Sequence, residues 1–383
     1  MPTPPKPIRL VIQQPALPKY RLPVFEELSR RRGIDLTVVY GEQKTLPNAD
    51  RFHFKAIKVP LREFTIFGQP VLWHPAQWQY ATRAHADVLI LNWNVRYPQL
   101  VPALLRARAE GVPTILWGHG YSKNEATWRA WPRRKVTELA TALLFYNHTT
   151  ARNYIATGTD PRKVFVALNS LDQRPIQAAR QHWLSRPEEL AAFRREHNLT
   201  GPTIIFVSRL EPANRVDLLL QATQQLLRKF PTLTAAIVGK GPDEQRLKGL
   251  AAELGIERHV RFPGAIYDEM QLAPWMLSAD VYCYPSNIGL SLLHAFGYAL
   301  PVVTNARIEL HGPEIEALAW GNNGLGYSTI QELIIALDQL LKDSELRGRM
   351  SHCALETALS RFTLEQMVNG FEQAIQYCLS RSR

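Results

Sequence analysis

A turn between an apolar strand and a helix is the strongest candidate for an anion site in the sequence. It follows the apolar run Val281–Tyr284, and Ser286 or Asn287 is expected to cap the helix. Backbone N–H groups at a helix start with a glycine close by bind phosphates well, so a diphosphate is the expected ligand. The N–H groups expected to stay open are those of Ile288, Gly289 and Leu290. On spacing alone, an ordinary amphipathic helix with a solvated His294 is the alternative.

Two further candidates stand directly after predicted strands. Arg209 follows Thr203–Val207, where its planar guanidinium can hold a phosphate in a bidentate pair. His119 follows Thr114–Trp117 between two glycines, which let the backbone approach a ligand closely and free the imidazole. The alternatives are a surface arginine paired with Glu211 and a structural histidine.

Short apolar runs that alternate with segments of helical period must position these residues. Most of the runs are continuous, as in parallel strands that are covered by helices on both faces. The predicted strands are Ile8–Gln13, Leu36–Tyr40, Val88–Asn92, Thr114–Trp117, Leu143–Tyr146, Val164–Ala167, Thr203–Val207, Thr234–Val238, Val260–Phe262, Val281–Tyr284 and Val302–Thr304. The pattern predicts an α/β protein of two doubly wound, Rossmann-like domains that face a central cleft.

The division of the chain follows from the same pattern. We expect an N-terminal Rossmann-like domain over 1–173, a polar helical linker over 174–202 and a C-terminal Rossmann-like domain over 203–358. The segment 359–383 has the apolar spacing of a helix and is expected to pack back on the N-terminal domain. A length of 383 residues fits two domains.

Composition argues against several classes of protein. Three widely spaced cysteines favour neither a disulfide scaffold nor a zinc cluster. The sequence has no run of about 18 apolar residues and its start lacks the apolar stretch of a secretory signal, so a cytoplasmic protein is expected. Residues 1–200 carry 29 basic and 15 acidic residues, whereas 201–383 carry 16 and 19. The net charge of +11 therefore belongs to the first half.

The ordered motifs resemble those of family 4 of the retaining nucleotide-sugar glycosyltransferases, which have the two-domain GT-B fold. The segment Pro285–Val303 resembles the donor-site signature of that family, and Val207–Leu210 resembles its Gly-Arg-Leu strand end. Further matches follow in the family's order at Asn169–Asp172, Val216–Leu220, Ile237–Pro242, Val260–Gly264, Gly312–Glu314 and Gly321–Leu325. Each motif alone is weak, but the ordered set extends over most of the chain.

The resemblance implies roles for residues of the second domain. Arg209 would grip the donor diphosphate, with Asn214 standing where the family usually has a lysine and Arg215 next to it. The signature helix of the family usually carries two glutamates, and this sequence has Ser286 and His294 at those positions. An imidazole can still hydrogen-bond the ribose hydroxyls, whereas a serine replaces the carboxylate on the side of the donor sugar.

The first domain is expected to bind the acceptor. The resemblance places His119 near the donor sugar and the acceptor, and it implies acceptor contacts at Gln14, Tyr20 and Arg21. Cations interleaved with tryptophans lie farther along this domain and predict contact with an anionic membrane surface, with a solvated helix face as the alternative. This basic cluster consists of Lys123, Trp128, Arg129, Trp131, Arg133, Arg134 and Lys135. No nucleic-acid partner is expected, because no nucleic-acid motif accompanies this cluster.

The resemblance therefore implies a retaining glycosyltransferase that moves a sugar from a nucleoside-diphosphate sugar to a hydroxyl of a glycan or lipid-linked acceptor. Cell-surface polysaccharide or lipopolysaccharide synthesis is the expected setting, at the inner face of the membrane. Neither a metal nor another cofactor is expected, since Asp-x-Asp and P-loop motifs are missing from the sequence. Ser286 and Asn214 favour the alternative of a non-catalytic GT-B subunit that binds a glycan or a partner protein. A nucleotide-sugar epimerase is a weaker alternative.

Overall fold

The computed structural model describes residues 6–43, 46–66, 68–94, 96–120 and 127–381, without the side chains of Gln69 and of 127–132. The chain divides into two compact units. The first unit comprises Met1–Asn169 and Leu364–Arg383, and the second comprises Ser170–Thr363. Every helix in the described ranges is too short or too polar to cross a bilayer.

The first unit is built on a parallel sheet. Its strands are β1 Ile8–Gln14, β2 Ile34–Tyr40, β3 Lys55–Lys58, β4 Arg62–Ile66, β5 Gln69–Trp73, β6 Val88–Asn92, β7 Thr114–Gly118, β8 Ala142–Phe145 and β9 Val164–Val166. Its helices up to this point are α1 Leu22–Ser29, α2 Ala76–Gln79, α3 Leu100–Ala109, α4 Thr127–Leu139 and α5 His148–Ala156. Seven strands form the sheet in the order β3-β2-β1-β6-β7-β8-β9, while β4 and β5 pair separately as an antiparallel ribbon.

The second unit repeats this architecture with six parallel strands. They are β10 Thr203–Val207, β11 Thr234–Val238, β12 Val260–Gly264, β13 Val281–Tyr284, β14 Val302–Asn305 and β15 Gly324–Tyr327. The helices are α6 Gln173–Leu184, α7 Pro187–Glu196, α8 Val216–Leu226, α9 Glu244–Glu253, α10 Glu269–Leu277, α11 Ser291–Gly297, α12 Ile330–Lys342 and α13 Ser344–Glu356, before α14 Leu364–Arg381 returns to the first unit. The strand order is β12-β11-β10-β13-β14-β15, so β10 and β13 are neighbours in the middle of the sheet.

The two faces of the first sheet explain its continuous apolar strands. Along β1, Leu10 and Ile12 are sealed into one hydrophobic core, and Val11 is sealed into the core on the opposite face. Because both faces are covered, an alternating apolar pattern is not needed. The prediction of an α/β protein with parallel sheets is confirmed.

Four strands, β3, β4, β5 and β15, were not predicted because they lack a continuous apolar run. β3 begins and ends with lysine at the sheet edge, β4 is exposed along its whole length, and β15 contains two glycines in four residues. β5 is the partner of β4 in the antiparallel ribbon and lies outside the main sheet. Edge and ribbon strands are stabilised by pairing more than by burial, so hydrophobic patterning does not mark them.

The segment expected to be a linker forms two helices of the second unit instead. Ile176 and Ala179 on α6 are buried, and Gln173 donates from Nε2 to the carbonyl of Leu293 at 3.1 Å. On α7, Arg194 donates to the carbonyl of Leu277 at 2.6 Å. The polar composition of 174–202 reflects the solvated faces of these helices. The apolar face of each helix is narrow and short, so the sequence did not indicate that these helices pack against the second unit.

The last helix packs on the first unit. Val368, Phe371 and Ile375 on α14 belong to the same core as Leu10 and Ile12. The helix begins at Leu364 rather than at 359, after a π-helical turn at Thr357–Arg361 that belongs to the second unit. The expected C-terminal helix is thus present, five residues shorter at its start.

Candidate functional site

The loops after β10 and β13 lie at the same edge of the second sheet. The two strands are parallel neighbours, so their carboxyl ends coincide. Tyr284, the last residue of β13, donates from its hydroxyl to Oγ of Ser208, the first residue after β10, at 3.2 Å. Arg209 and the turn after Tyr284 therefore start from adjacent points, at the edge where doubly wound sheets bind ligands.

Two glycines after β11 allow the loop after β10 to pack closely. Leu210 donates its amide to the carbonyl of Lys240 at 3.0 Å. A Cβ on Gly239 would collide with the carbonyl of Ser208, and one on Gly241 would collide with that of Leu210. The glycines thus fix the backbone that carries Arg209.

The arginines after β10 are exposed but already paired. Nε of Arg209 lies 3.1 Å from Glu211, with about two thirds of the Arg209 side chain exposed. Arg215 forms three hydrogen bonds to Asp217, at 3.1, 3.3 and 3.0 Å, and this pairing raises the pKa of Arg215. Exposed pairs of this kind contribute at most about 1 kcal/mol, so an incoming phosphate can replace either carboxylate.

The side chain of Asn214 lies inside the protein, whereas the sequence suggests a contact with the diphosphate. Its side chain is buried and donates from Nδ2 to the carbonyl of Arg209 at 2.5 Å. The amide therefore holds the loop that carries Arg209. The expectation that Asn214 itself grips a diphosphate is not supported, because its amide is turned into the protein.

The turn after β13 is not capped by a side chain. α11 begins at Ser291 with Leu290 at its cap position, and no side chain bonds to that cap. The prediction that Ser286 or Asn287 caps the helix is therefore wrong. Among the described residues, Oδ1 of Asn287 is buried without a hydrogen-bond partner.

His311 holds this turn in place of a cap. Its Nδ1 accepts a hydrogen bond from the amide of Ile288 at 3.1 Å, so its Nε2 carries the proton and donates to the carbonyl of Asn305 at 2.7 Å. The N–H of Ile288 is thus occupied, contrary to expectation. The amides of Gly289 and Leu290 make no hydrogen bond within the described chain. No motif in the sequence marks His311, whose only signal is its place before Gly312-Pro-Glu314.

His294 belongs to a polar cluster that sequence reasoning found only in part. Its Nε2 lies 3.1 Å from the carboxylate of Glu269 on α10, and the hydroxyl of Tyr298 donates to the same carboxylate at 2.8 Å. Burial alone would raise the pKa of Glu269. The hydrogen bond and charge of His294, together with the hydrogen bond from Tyr298, outweigh burial and lower that pKa. Glu269 therefore stays a carboxylate at neutral pH.

His119 stands at the end of β7 in the first unit, as its position in the sequence predicts. Its side chain is exposed, and its ring lies 4.7 Å from that of Tyr146, centroid to centroid. Gly120 has a φ of +70°, and its carbonyl accepts a hydrogen bond from the hydroxyl of Tyr154 at 2.6 Å. A Cβ on Gly118 would approach the carbonyl of Trp93 to 2.9 Å. Both glycines are needed to hold His119 at the strand end.

The three expected acceptor contacts near β1 differ in their access to solvent. Gln14 is buried and donates to the carbonyl of Gln13 at 3.0 Å. Tyr20 is exposed, and Arg21 is 8% exposed with one hydrogen bond, to Asn169 at 3.0 Å. Tyr20 therefore remains open to a ligand, Arg21 is buried but keeps unused N–H donors, and the amide of Gln14 is enclosed by the protein.

The basic cluster with tryptophans is only partly described. Lys123 lies outside the described residues, and the side chains of Trp128, Arg129 and Trp131 are likewise not described. Arg133 is 5% exposed, so the prediction that it faces a membrane is wrong: this side of α4 packs into the unit. Arg134 donates to the carbonyl of Thr157 at 3.1 Å, and Lys135 pairs with Glu138 at 2.8 Å. In the described ranges, no group of three or more His, Cys, Asp or Glu side chains is arranged to hold a metal ion.

Comparison with known proteins places part of the chain in a family. Residues 188–356 match the model of the glycosyl transferases group 1 family. An uncharacterized glycosyltransferase of Haemophilus influenzae is 30% identical over 175 residues, which are 44% of this chain and 47% of that protein. The chain therefore spans about half the length of this relative.

A second relative is matched over a longer segment. The GDP-mannose-dependent alpha-(1-6)-phosphatidylinositol monomannoside mannosyltransferase of Mycolicibacterium smegmatis is 25% identical over 302 residues, or 72% of this chain and 75% of that protein. Among solved structures, that of Anabaena HepE in complex with UDP superimposes with a TM-score of 0.72 at 17% identity, covering 96% of this chain and 99% of HepE. HepE has also been solved with UDP-glucose. Residues 188–356 are therefore similar to the glycosyl transferases group 1 domain, and the fold is that of GT-B glycosyltransferases such as HepE.

Proposed function

We propose that this chain is a retaining glycosyltransferase that transfers a sugar from a nucleoside-diphosphate sugar to a hydroxyl of a glycan or lipid-linked acceptor, without a metal. Cell-surface polysaccharide or lipopolysaccharide synthesis is the proposed setting. The observation that carries the proposal is a set of groups suited to a diphosphate at one sheet edge: the open amides of Gly289 and Leu290 follow β13, and Arg209 and Arg215 follow its neighbour β10. The match of residues 188–356 to the glycosyl transferases group 1 model supports it.

These groups would act on the leaving group of the reaction. When the bond between the sugar and the diphosphate breaks, negative charge builds up on the diphosphate. Fixed N–H groups and a guanidinium stabilise that charge without reorganising, which lowers the barrier. In a retaining front-face transfer, the departing phosphate then helps to deprotonate the acceptor hydroxyl. We assign to His119 a position near the reacting carbon of the donor sugar.

The nucleoside would be held by the cluster on α10 and α11. The carboxylate of Glu269 can accept hydrogen bonds from two ribose hydroxyls, and His294 adds a ring nitrogen beside it. The donors to test first are suggested by the similar proteins: GDP-mannose by the name of the Mycolicibacterium relative, and UDP-glucose by the HepE complex.

Donor turnover tests the proposal directly. Purified protein should release the nucleotide from GDP-mannose or UDP-glucose slowly by hydrolysis, and faster with a hydroxyl acceptor. Arg209→Ala should lower kcat/KM about 100-fold. Arg228→Ala is the matched control, since this exposed arginine follows the other end of α8. Nucleotide binding without any turnover would instead favour the non-catalytic GT-B subunit.

We also propose that the basic first half attaches the chain to an anionic membrane surface. The described residues that support this are Arg134 and Lys135, near the end of α4. Each cation near such a surface contributes about 1 kcal/mol. Sedimentation with phosphatidylglycerol vesicles should weaken in the double variant Arg134→Gln with Lys135→Gln, and unchanged sedimentation would contradict the proposal.

A further inference from the structure

Arg21 is a buried cation surrounded by aromatic rings. It lies in a short 3-10 turn, Lys19–Arg21, between β1 and α1. Its guanidinium carbon is 4.8 Å from the ring centroid of Trp117, 4.9 Å from that of Tyr146 and 5.3 Å from that of Tyr20. Only 8% of the residue is exposed. The rings fix the plane and the position of the charged group.

No carboxylate in the described part of the chain pairs with Arg21. Its guanidinium donates one hydrogen bond, from Nη1 to Oδ1 of Asn169 at 3.0 Å. Elsewhere in the unit a partly buried arginine has an acidic partner, as Arg9 has Asp87 at 2.7 Å. Removing a cation from water is costly unless an anion compensates it, and ring faces compensate only in part.

The unused N–H groups of Arg21 are not fully sealed from solvent. A guanidinium has five N–H donors, and one of them is used here. The nitrogens of Arg21 are not among the sealed, unpartnered polar atoms of the described residues, whereas Nε of Arg31 is. A rigid guanidinium with several open donors matches the geometry of a phosphate or carboxylate, which it binds through two parallel hydrogen bonds.

The position of Arg21 relates it to the proposed reaction. Tyr146 contacts Arg21 with its ring and also lies 4.7 Å from the ring of His119. An anion bound to Arg21 would therefore lie at the same strand ends as the group assigned to the reacting carbon. All of the residues assigned to the donor belong to the second unit, whereas Arg21 belongs to the first.

We propose that Arg21 binds an oxyanion, a phosphate or a carboxylate, carried by the acceptor, so that the acceptor is an anionic glycan or a phosphate-linked lipid. This inference rests on the proposed function. The same chemistry could be supplied by the diphosphate of the donor, and the experiment separates the two sources. Aromatic rings around the guanidinium keep it preorganised, so little entropy is lost when the oxyanion binds.

Inorganic phosphate is the probe, and thermal unfolding is the readout. All proteins are measured with saturating UDP, which occupies the diphosphate site, and with chloride at equal ionic strength as the reference. Phosphate at ten times its dissociation constant should raise Tm by about 3 °C. Arg21→Met should abolish this rise while its side chain still packs against the rings. Arg32→Met, at an exposed arginine of the same unit, should keep it.

A second variant guards against a folding defect. Arg21→Lys keeps the charge but loses the planar fork, so we expect a folded protein that binds phosphate about tenfold more weakly. A rise in Tm that is equal in wild type, Arg21→Met and Arg21→Lys would overturn the proposal. A tenfold loss of UDP affinity in Arg21→Met would also overturn it, since Arg21 would then contact the donor.

The outcome is separable from that of the proposed function. If the protein binds neither UDP nor GDP, the phosphate series is repeated in an Arg209→Ala background, which removes one of the two exposed guanidinium groups assigned to the diphosphate. A phosphate effect that depends on Arg21 in that background would support the oxyanion site even though the proposed function had failed. Loss of the effect there would overturn both.

Discussion

Glu269 and His294 meet at 3.1 Å although they belong to different helices and are 25 residues apart in the sequence. The carboxylate of Glu269 therefore lies against the tip of His294. His294 occupies the position where the family's signature usually has a glutamate. A negative group is present at this position in the structure, but it comes from α10 rather than from α11. At His294 the chain therefore still has a carboxylate within hydrogen-bond distance, supplied by a different helix.

The first prediction concerns this carboxylate. Glu269→Gln should weaken UDP or GDP binding about tenfold, because a charge-assisted hydrogen bond to a ribose hydroxyl is worth about 1.5–3 kcal/mol. The variant should also lose the preference of the wild type for UDP over 2′-deoxy-UDP. Both quantities are measured by titration calorimetry. Glu253→Gln, at an exposed glutamate of α9, is the control, and equal affinities in all three proteins would contradict the assignment.

The second prediction concerns the histidine that holds the turn. His311→Ala removes the two hydrogen bonds by which His311 joins Ile288 to Asn305, while the Ile288 amide keeps its 2.7 Å bond to the carbonyl of Ser286; we expect a cost of about 1–3 kcal/mol. We expect a lower free energy of unfolding in urea and weaker nucleotide binding, because the amides of Gly289 and Leu290 lose their fixed position. His352→Ala, at an exposed histidine, should change neither. A variant less stable but unchanged in nucleotide affinity would show that the turn does not bind the nucleotide.

The sequence was a good guide wherever burial determines structure. Thr203–Val207, Thr234–Val238 and Val281–Tyr284 begin and end where their apolar runs do, because a strand covered on both faces must be apolar at every position. The places of Arg209 and His119 followed from this, since each stands directly after a strand. Within each sheet, the topology then brings the ends of neighbouring strands together, without any local signal.

Partners from distant segments could not be predicted from spacing. Nothing in the sequence pairs Glu269 with His294 or His311 with Ile288, because these contacts depend on how helices and loops pack. The cap expected from Ser286 or Asn287 illustrates the same limit. A local propensity predicted a side-chain cap, whereas in the structure the Ile288 amide donates a tertiary hydrogen bond to His311.

The third prediction concerns the pH dependence of stability. Burial, opposed only in part by the hydrogen bond to the carbonyl of Gln14, lowers the pKa of His74 from 6.5 to about 4. The folded protein therefore stays unprotonated at His74 between these pH values, while the unfolded chain takes up a proton. Stability is full above pH 6.5 and falls as the pH approaches 4, by about 3 kcal/mol in total.

Urea unfolding of His74→Gln at several pH values checks this. The difference in unfolding free energy between wild type and variant should shift in favour of the variant as the pH falls from 6.5 to 4. His53→Gln, at an exposed histidine of the same unit, should show a much smaller pH-dependent shift. A difference for His74→Gln that does not depend on pH would mean that His74 is protonated equally in both states.

The fourth prediction compares two glycines inside helices. Gly370 on α14 faces β9, and a Cβ there would collide with the carbonyl of Val166 and approach Cα of Ala167 to 2.8 Å. Gly370→Ala should therefore lower the free energy of unfolding by about 2–3 kcal/mol, because a backbone cannot move aside as a side chain can. Gly249 on α9 has nothing within 4 Å of the same point.

Gly249→Ala is the matched change and should have the opposite sign. Alanine loses less entropy than glycine when a helix forms, so this variant should be stabilised by about 0.5–1 kcal/mol. Urea unfolding of both variants, followed by circular dichroism, gives the two differences. Equal stabilisation by both alanines would show that α14 does not pack against β9. Opposite signs would establish that Gly370 is required for the last helix to lie on the first unit.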